Sequence, residues 1–200
     1  MTERIFEVEI SNKTSKGYET ATALEMPATW AEFHDALEKA RIKDARDCHN
    51  ELTKIEYPGI QRGMIGDNVN LYELNLLAQR LAMLSEDDRM GLDGLLQIEG
   101  GRHIGPIPLP RLINLTYNLD NYDFIPDIKD YDDLGRYYFF EGGYNIDNKF
   151  GSFVDYIDFE RYGEDCAINE GGTLTDAGYI RPTGDSWNRY FDGTLEDIPD

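Results

Sequence analysis

Two hundred residues carry 39 Asp and Glu against 19 Lys and Arg, a formal charge of −20. Charge of this size argues against direct binding to nucleic acid or anionic lipid, and favours cations or a basic protein surface as partners. Apolar residues make up 40% of the chain and aromatic residues 12%, enough for packed cores and too many for a disordered acidic tail.

Met1 to Ile10 alternates charged and apolar residues and lacks the hydrophobic run of a signal peptide. Ile5 to Ile10 reads as a strand, Asn12 to Gly17 as a turn and Glu19 to Glu25 as the return strand, ended by Pro27. Thr29 and Glu32 have capping-box spacing and open a helix with Phe33, Leu37 and Ala40 on one face. Leu52 to Tyr57 is a third strand, and residues 1–60 form a small α+β module.

Ile60 to Asn68, with two glycines, reads as a loop. Leu71, Leu74, Ala78, Leu81 and Leu84 then form one helical stripe. Ser85 caps a second helix bearing Met90, Leu92, Leu95 and Leu96, which Gly91 and Gly94 weaken. Gly100 to Pro110, with Gly-Gly and Pro-Ile-Pro-Leu-Pro, is expected to be an extended loop. Residues 61–115 are thus a middle helical module.

The last module, residues 116–200, is acidic α+β. Leu112 to Asp200 holds twenty acids and six bases, so most of the net charge lies here. Asp130 caps a helix through Leu134, Tyr137, Tyr138 and Phe139, closed by Gly142-Gly143. Ser152 caps another through Phe153, Tyr156, Ile157 and Glu160, with Gly163 beyond its end. Thr173 to Ile180 is a closing strand, and the tail from Pro182 is expected to be loose.

No stretch reaches the roughly eighteen apolar residues of a membrane span. Cys48 and Cys166 lie too far apart for a CxxC site and are expected as free thiols of a cytosolic protein. Gly-rich phosphate loops, HExxH and the nucleophile elbow are absent from the sequence. His34, His49 and His103 have no metal-site spacing, and Asp120 to Asp133 lacks the ligand alternation and central glycine of a calcium loop. No cofactor and no catalytic residue is expected. A calcium-binding protein or a hydrolase built on paired carboxylates is a lesser alternative.

The carboxylates form the constellation that stands out. Asp155 and Asp158, three apart, share a face of the expected helix, and Glu160, Glu164 and Asp165 continue the charge past its end. Asp123 precedes Asp127, Asp130, Asp132 and Asp133, which crowd a helix N-terminus where the macrodipole softens their repulsion. Glu141 and Glu170 have no basic residue close in sequence, and Asp147 has only Lys149. Duplex DNA carries about one charge per 1.7 Å, so twenty net charges match roughly 34 Å, or about ten base pairs. The surface therefore suits imitation of DNA toward a basic binding groove.

Several segments carry a resemblance. Tyr72-Glu73-Leu74-Asn75-Leu76-Leu77-Ala78 resembles the ELN-x-L helix of the ArdA antirestriction proteins, and Leu134-Gly135-Arg136-Tyr137-Tyr138 resembles their LG/AR-YY segment. The stretch from Tyr156 to Asp165 is similar to their YIDYE-x-YGRDL block. The opening strands, Pro27 and the helix after it also fit. Residues 100–123 and the tail after Pro182 look like additions.

The resemblance implies an elongated chain of three small α/β modules that dimerises through its C-terminal part. It implies a DNA mimic, carried by a phage or other mobile element, that occupies the DNA groove of type I restriction–modification methyltransferase and specificity subunits in the bacterial cytoplasm. Asp158, Glu160, Glu164 and Asp165 would then belong to the acidic surface, and Tyr156 and Tyr162 to packing or the dimer contact. A different defence nuclease, such as a CRISPR effector, is the alternative target.

Overall fold

The computed structural model describes residues 3–14, 17–141, 153–187, 190–193 and 195. The chain is mixed α+β, with six α-helices and two three-stranded sheets among those residues. It divides into two compact units, one made of Met1–Leu119 with Asn188–Asp200, the other of Asp120–Trp187.

The first unit opens with β1 (Phe6–Asn12), β2 (Thr22–Met26), α1 (Trp30–Lys39) and β3 (Cys48–Ile55). The sheet is antiparallel in the order β2-β1-β3, with Val8 opposite Leu24 and Leu52. Period-two alternation turns Phe6, Val8, Ile10, Leu24 and Met26 inward against Phe33, Ala36 and Leu37 of α1. The expected capping box is present: Thr29 Oγ1 accepts from Glu32 N, and Thr29 N donates to Glu32 Oε2. The bond that the Arg4 guanidinium donates to Glu32, helped by those from Thr29, holds its carboxyl down to about 2.

Three helices complete the unit: α2 (Leu71–Ala82), α3 (Glu86–Arg102) and α4 (Leu109–Tyr117). Every residue of α2 from Leu71 to Ala78 is buried, because α2 is enclosed on more than its apolar stripe. Two differences from the sequence reading fall here. The helix α3 runs on through Gly100 and Gly101 to Arg102, since Glu99 is anchored by a bidentate bond from Arg111, Nη2 to Oε1 at 2.7 Å and Nε to Oε2 at 3.0 Å. Leu109-Pro110 then opens α4, where a proline in the first turn loses no helical hydrogen bond, and Leu112, Ile113 and Leu115 supply the buried face.

Buried asparagines clip distant backbone into this unit. Asn75, fully buried on α2, accepts from Ala28 N (2.7 Å) and donates to Ala28 O (3.0 Å). Asn50 on β3 makes the same pair of bonds with Val69, both at 3.0 Å. Asn114 on α4 does so with Phe191, at 2.6 and 2.8 Å. Each clip satisfies a backbone N–H and C=O outside any ladder.

The second unit holds β4 (Tyr122–Pro126), α5 (Tyr131–Glu141), α6 (Phe159–Glu170), β5 (Thr173–Thr175) and β6 (Gly178–Pro182). Its antiparallel sheet has the order β4-β6-β5, so the expected single strand over 173–180 is a tight hairpin, and β4 is an addition to the sequence reading. Ile128, Leu134, Ala167 and Tyr179 form its buried core. The expected helix over 153–160 is replaced by a single 3-10 turn, Val154–Tyr156, followed by α6 with Asp158 as its cap. Gly163 consequently sits inside α6 rather than beyond a helix end. The expected closure at Gly142-Gly143 and the cap at Ser152 lie outside the described residues.

Candidate functional site: the carboxylates of the second unit

The helices α5 and α6 cross where two glycines meet. A Cβ on Gly135 would stand 2.0 Å from the Phe159 carbonyl oxygen, and one on Gly163 would stand 1.9 Å from that of Tyr131. Contact this close demands the absence of a side chain on both helices. It fixes Phe159, Gly163 and Ala167 as the inward face of α6, all three buried, and turns Glu160, Glu164 and Asp165 to solvent.

The acids fall into two groups by what surrounds them. In the first, each carboxylate is engaged. Asp130 Oδ1 accepts from Asp133 N at 2.8 Å and caps α5, while Asp133 Oδ2 accepts from Lys129 N at 3.1 Å. Asp132 pairs with Arg136 one turn on, at 2.6 Å. Asp158 Oδ1 accepts from Arg161 N at 3.1 Å and caps α6. These bonds place negative charge at helix N-termini, where the backbone dipole favours it.

Glu170 is the most engaged of all. Its Oε2 accepts from Tyr138 Oη (2.6 Å) and Tyr179 Oη (3.3 Å), and its Oε1 accepts from Arg181 Nη1 (3.0 Å). Arg181 also pairs with Asp123 at 3.0 Å. Burial, reinforced by Glu170, pushes both tyrosine hydroxyls well above their ordinary range, so they stay protonated donors. Sequence distance hid this network, because the basic partner of Glu170 sits eleven residues away across the β5–β6 hairpin.

The second group is free. Asp127, Asp155, Glu160, Glu164 and Asp165 are exposed, and none forms an ion pair among the described residues. Glu141 ends α5 and is exposed as well. Asp155 lies in the 3-10 turn, so it does not share a helix face with Asp158. Asp147 lies outside the described residues. Asp127 holds a left-handed backbone, φ +65°, at the turn from β4 into α5, a conformation that Asp tolerates better than most residues.

Tyr156 is 86% exposed, and Phe140, Phe153 and Ile168 are also large exposed apolar side chains. Tyr162 is half-buried on α6. Burial raises the Cys166 thiol, with Glu170 and Asp165 adding to the effect, so this sulfur is not an activated nucleophile. Both cysteines are free.

A second set of acids, on the first unit, escaped the sequence reading. The sheet register sets Glu7 opposite Glu25 and Glu9 opposite Glu51 on the face away from α1. Glu9, Glu25 and Glu51 are exposed. Like charges directly opposite on a sheet destabilise it. The alternation of Glu7 and Glu9 with Phe6, Val8 and Ile10 was the available signal, but the pairing that brings Glu25 and Glu51 alongside them is a property of register.

Among the described residues no group of three or more His, Cys, Asp or Glu converges as metal ligands, and no helix is long and apolar enough to cross a membrane. The chemistry on offer is electrostatic: fixed, outward carboxylates on a helix pair locked by its own backbone contact. The family model described as antirestriction protein (ArdA) matches residues 12–181. No curated protein matches the chain.

Proposed function

Because this chain belongs to the ArdA family of antirestriction proteins, we propose that it acts as a DNA mimic, placing its free carboxylates in the DNA-binding groove of a type I restriction–modification enzyme. Family membership carries the antirestriction activity and the encounter with restriction–modification enzymes. The mimicry and the type I target are our reading.

The observation that carries it is the outward face of α6. Glu160 and Glu164 stand one turn apart and repel each other, and Arg161 between them leaves both unpaired. An exposed helix gains a few tenths of a kcal/mol from pairing such charges and loses as much by leaving them alike. The sequence forgoes that gain. From Glu160 to Asp165 the helix advances about 7.5 Å with three acids and Arg161, a net charge of −2 or one negative charge per ~3.8 Å, close to the one per ~3.4 Å of a single DNA strand. A helix face with this density suits a groove of Lys and Arg built for phosphates.

The acids held by Arg136, Arg181 and the two helix caps are a scaffold in this reading, and the free ones are the contact set. The partner is the methyltransferase–specificity complex, and the mimic acts as a homodimer with Tyr156 and Tyr162 near the contact between copies. The test is capture of a purified type I methyltransferase complex by the immobilised protein, with cognate duplex DNA as competitor and salt as the second variable. Capture that DNA displaces and that weakens steeply with salt supports the reading. Capture of a different DNA-binding nuclease, with none of the type I complex, would keep the mimicry and replace the target. Capture indifferent to both DNA and salt would end the mimicry account.

A further inference from the structure

Residues 190–193 and 195 pack on the first unit in a distinctive way. The backbone of Phe191 makes two bonds with Asn114 on α4. Gly193, with φ +88°, lies over Pro110 in the first turn of α4. Leu195 gives its carbonyl oxygen to Asn70 Nδ2 at 3.1 Å, at the N-cap of α2. Asn114 itself is only 3% exposed.

The side chains on the strap tell the opposite story. Tyr190 is 75% exposed, Asp192 is exposed, and Phe191 and Leu195 are only half-buried. At Asn75 the same clip holds Ala28 inside the core, with both residues buried. Here the clip is rigid and interior on one side, and its ligand is surface chain without regular secondary structure. We propose that Asn70 and Asn114 form a binding groove for an extended peptide backbone on the first unit, and that its occupant, the chain's own segment around Phe191 and Leu195, is a strap that releases while the unit stays folded.

Three physical points support release. The grip is a handful of hydrogen bonds, each of which water replaces at small net cost. No side chain among the described strap residues is fully buried, so little apolar area is lost on opening. The end of the chain carries Asp192, Glu196, Asp197 and Asp200 on a protein of net charge −20, so repulsion opposes docking and salt relieves it. Recognition through N–H and C=O also makes the groove tolerant of sequence, as in other backbone-reading sites.

Amide hydrogen exchange on the full chain tests this directly. The Phe191 amide should exchange at least roughly tenfold faster than those of Ile113 and Leu115 in α4, through an opening that leaves α2 and α4 protected. Exchange of Phe191 only together with α4 would make the strap part of the core and overturn the proposal. Phe191→Pro removes the N–H that Asn114 accepts, at a position outside the core. It should free the strap, keep α2 and α4 protected, and open the groove to a fluorescent peptide of residues 186–200, with binding that tightens as salt rises. Loss of protection throughout the first unit, or no saturable binding of that peptide, would overturn it.

Discussion

Gly135 and Gly163 face each other across α5 and α6 with so little room that a Cβ on Gly163 would lie 2.7 Å from the Gly135 nitrogen. The obstacles are backbone atoms, which cannot rotate away. Gly135→Ala and Gly163→Ala should therefore each destabilise the second unit by about 3 kcal/mol, at the upper end of what overpacking costs. Urea unfolding followed through a probe in residues 120–187 measures it. A loss below about 1 kcal/mol would mean the two helices can slide apart at no great cost.

Buried Glu99 and half-buried Arg111 make a pair whose pH dependence has a definite sign. The bidentate bond from Arg111 outweighs burial and holds the Glu99 carboxyl below its ordinary 4.5. A depressed folded value means the pair's contribution is complete above pH 4.5 and is lost as pH falls through the folded value. Arg111→Ala should cost about 3 kcal/mol at pH 7, because a buried carboxylate loses its main partner. That deficit should shrink on acidification, since burial alone raises a carboxyl and protonation then relieves it. Thermal melts of the variant between pH 7 and pH 4 read both signs.

The cap of α6 separates charge from hydrogen bonding. Asp158→Asn keeps an oxygen that accepts from Arg161 N and should change stability little, whereas Asp158→Ala should cost about 1 kcal/mol. Equal losses for the two would show that the negative charge, and not the cap, is what α6 requires.

Neutralisation of the free acids tests collectivity. Changing Asp127, Asp155, Glu160, Glu164 and Asp165 together to their amides should lower inhibition of a type I enzyme by roughly tenfold or more, because each contributes to one electrostatic surface. The second unit should melt no lower than before, as repulsion is relieved and no ion pair is broken. Glu164→Gln alone should change inhibition by less than about twofold. A large loss from that single change would indicate a discrete contact instead.

The Asn75 clip is expected to be costly to remove. Asn75→Ala leaves the N–H and C=O of Ala28 buried without their partners, and should destabilise the first unit by about 2–3 kcal/mol. Chemical denaturation of the variant gives the value directly. The same asparagine lies in the Tyr72–Ala78 segment that carried part of the family resemblance, so its role there is structural.

Local patterns were legible where the cause was local. Thr29 with Glu32, Ser85, and Asp130 all announce caps within four residues, and each cap is present. The leucine stripe of α2 and the alternation in β1 likewise follow from short-range period. What escaped was set at a distance. Pro110 reads as a breaker until Glu99 and the core behind Leu112 and Ile113 draw α4 into place. Gly163 reads as a helix end until Gly135 is seen against it. Of the acids, the sequence identified the exposed stretch, but the division into engaged and free depends on Arg181 reaching Glu170 and Asp123 across a sheet.

The division of the chain into Met1–Leu119 with Asn188–Asp200, and Asp120–Trp187, has a consequence for the order of events during translation. Every residue of the second unit leaves the ribosome before Phe191 and Leu195 do. Carboxylates on α6 can therefore be in place while Asn114 still waits for its ligand.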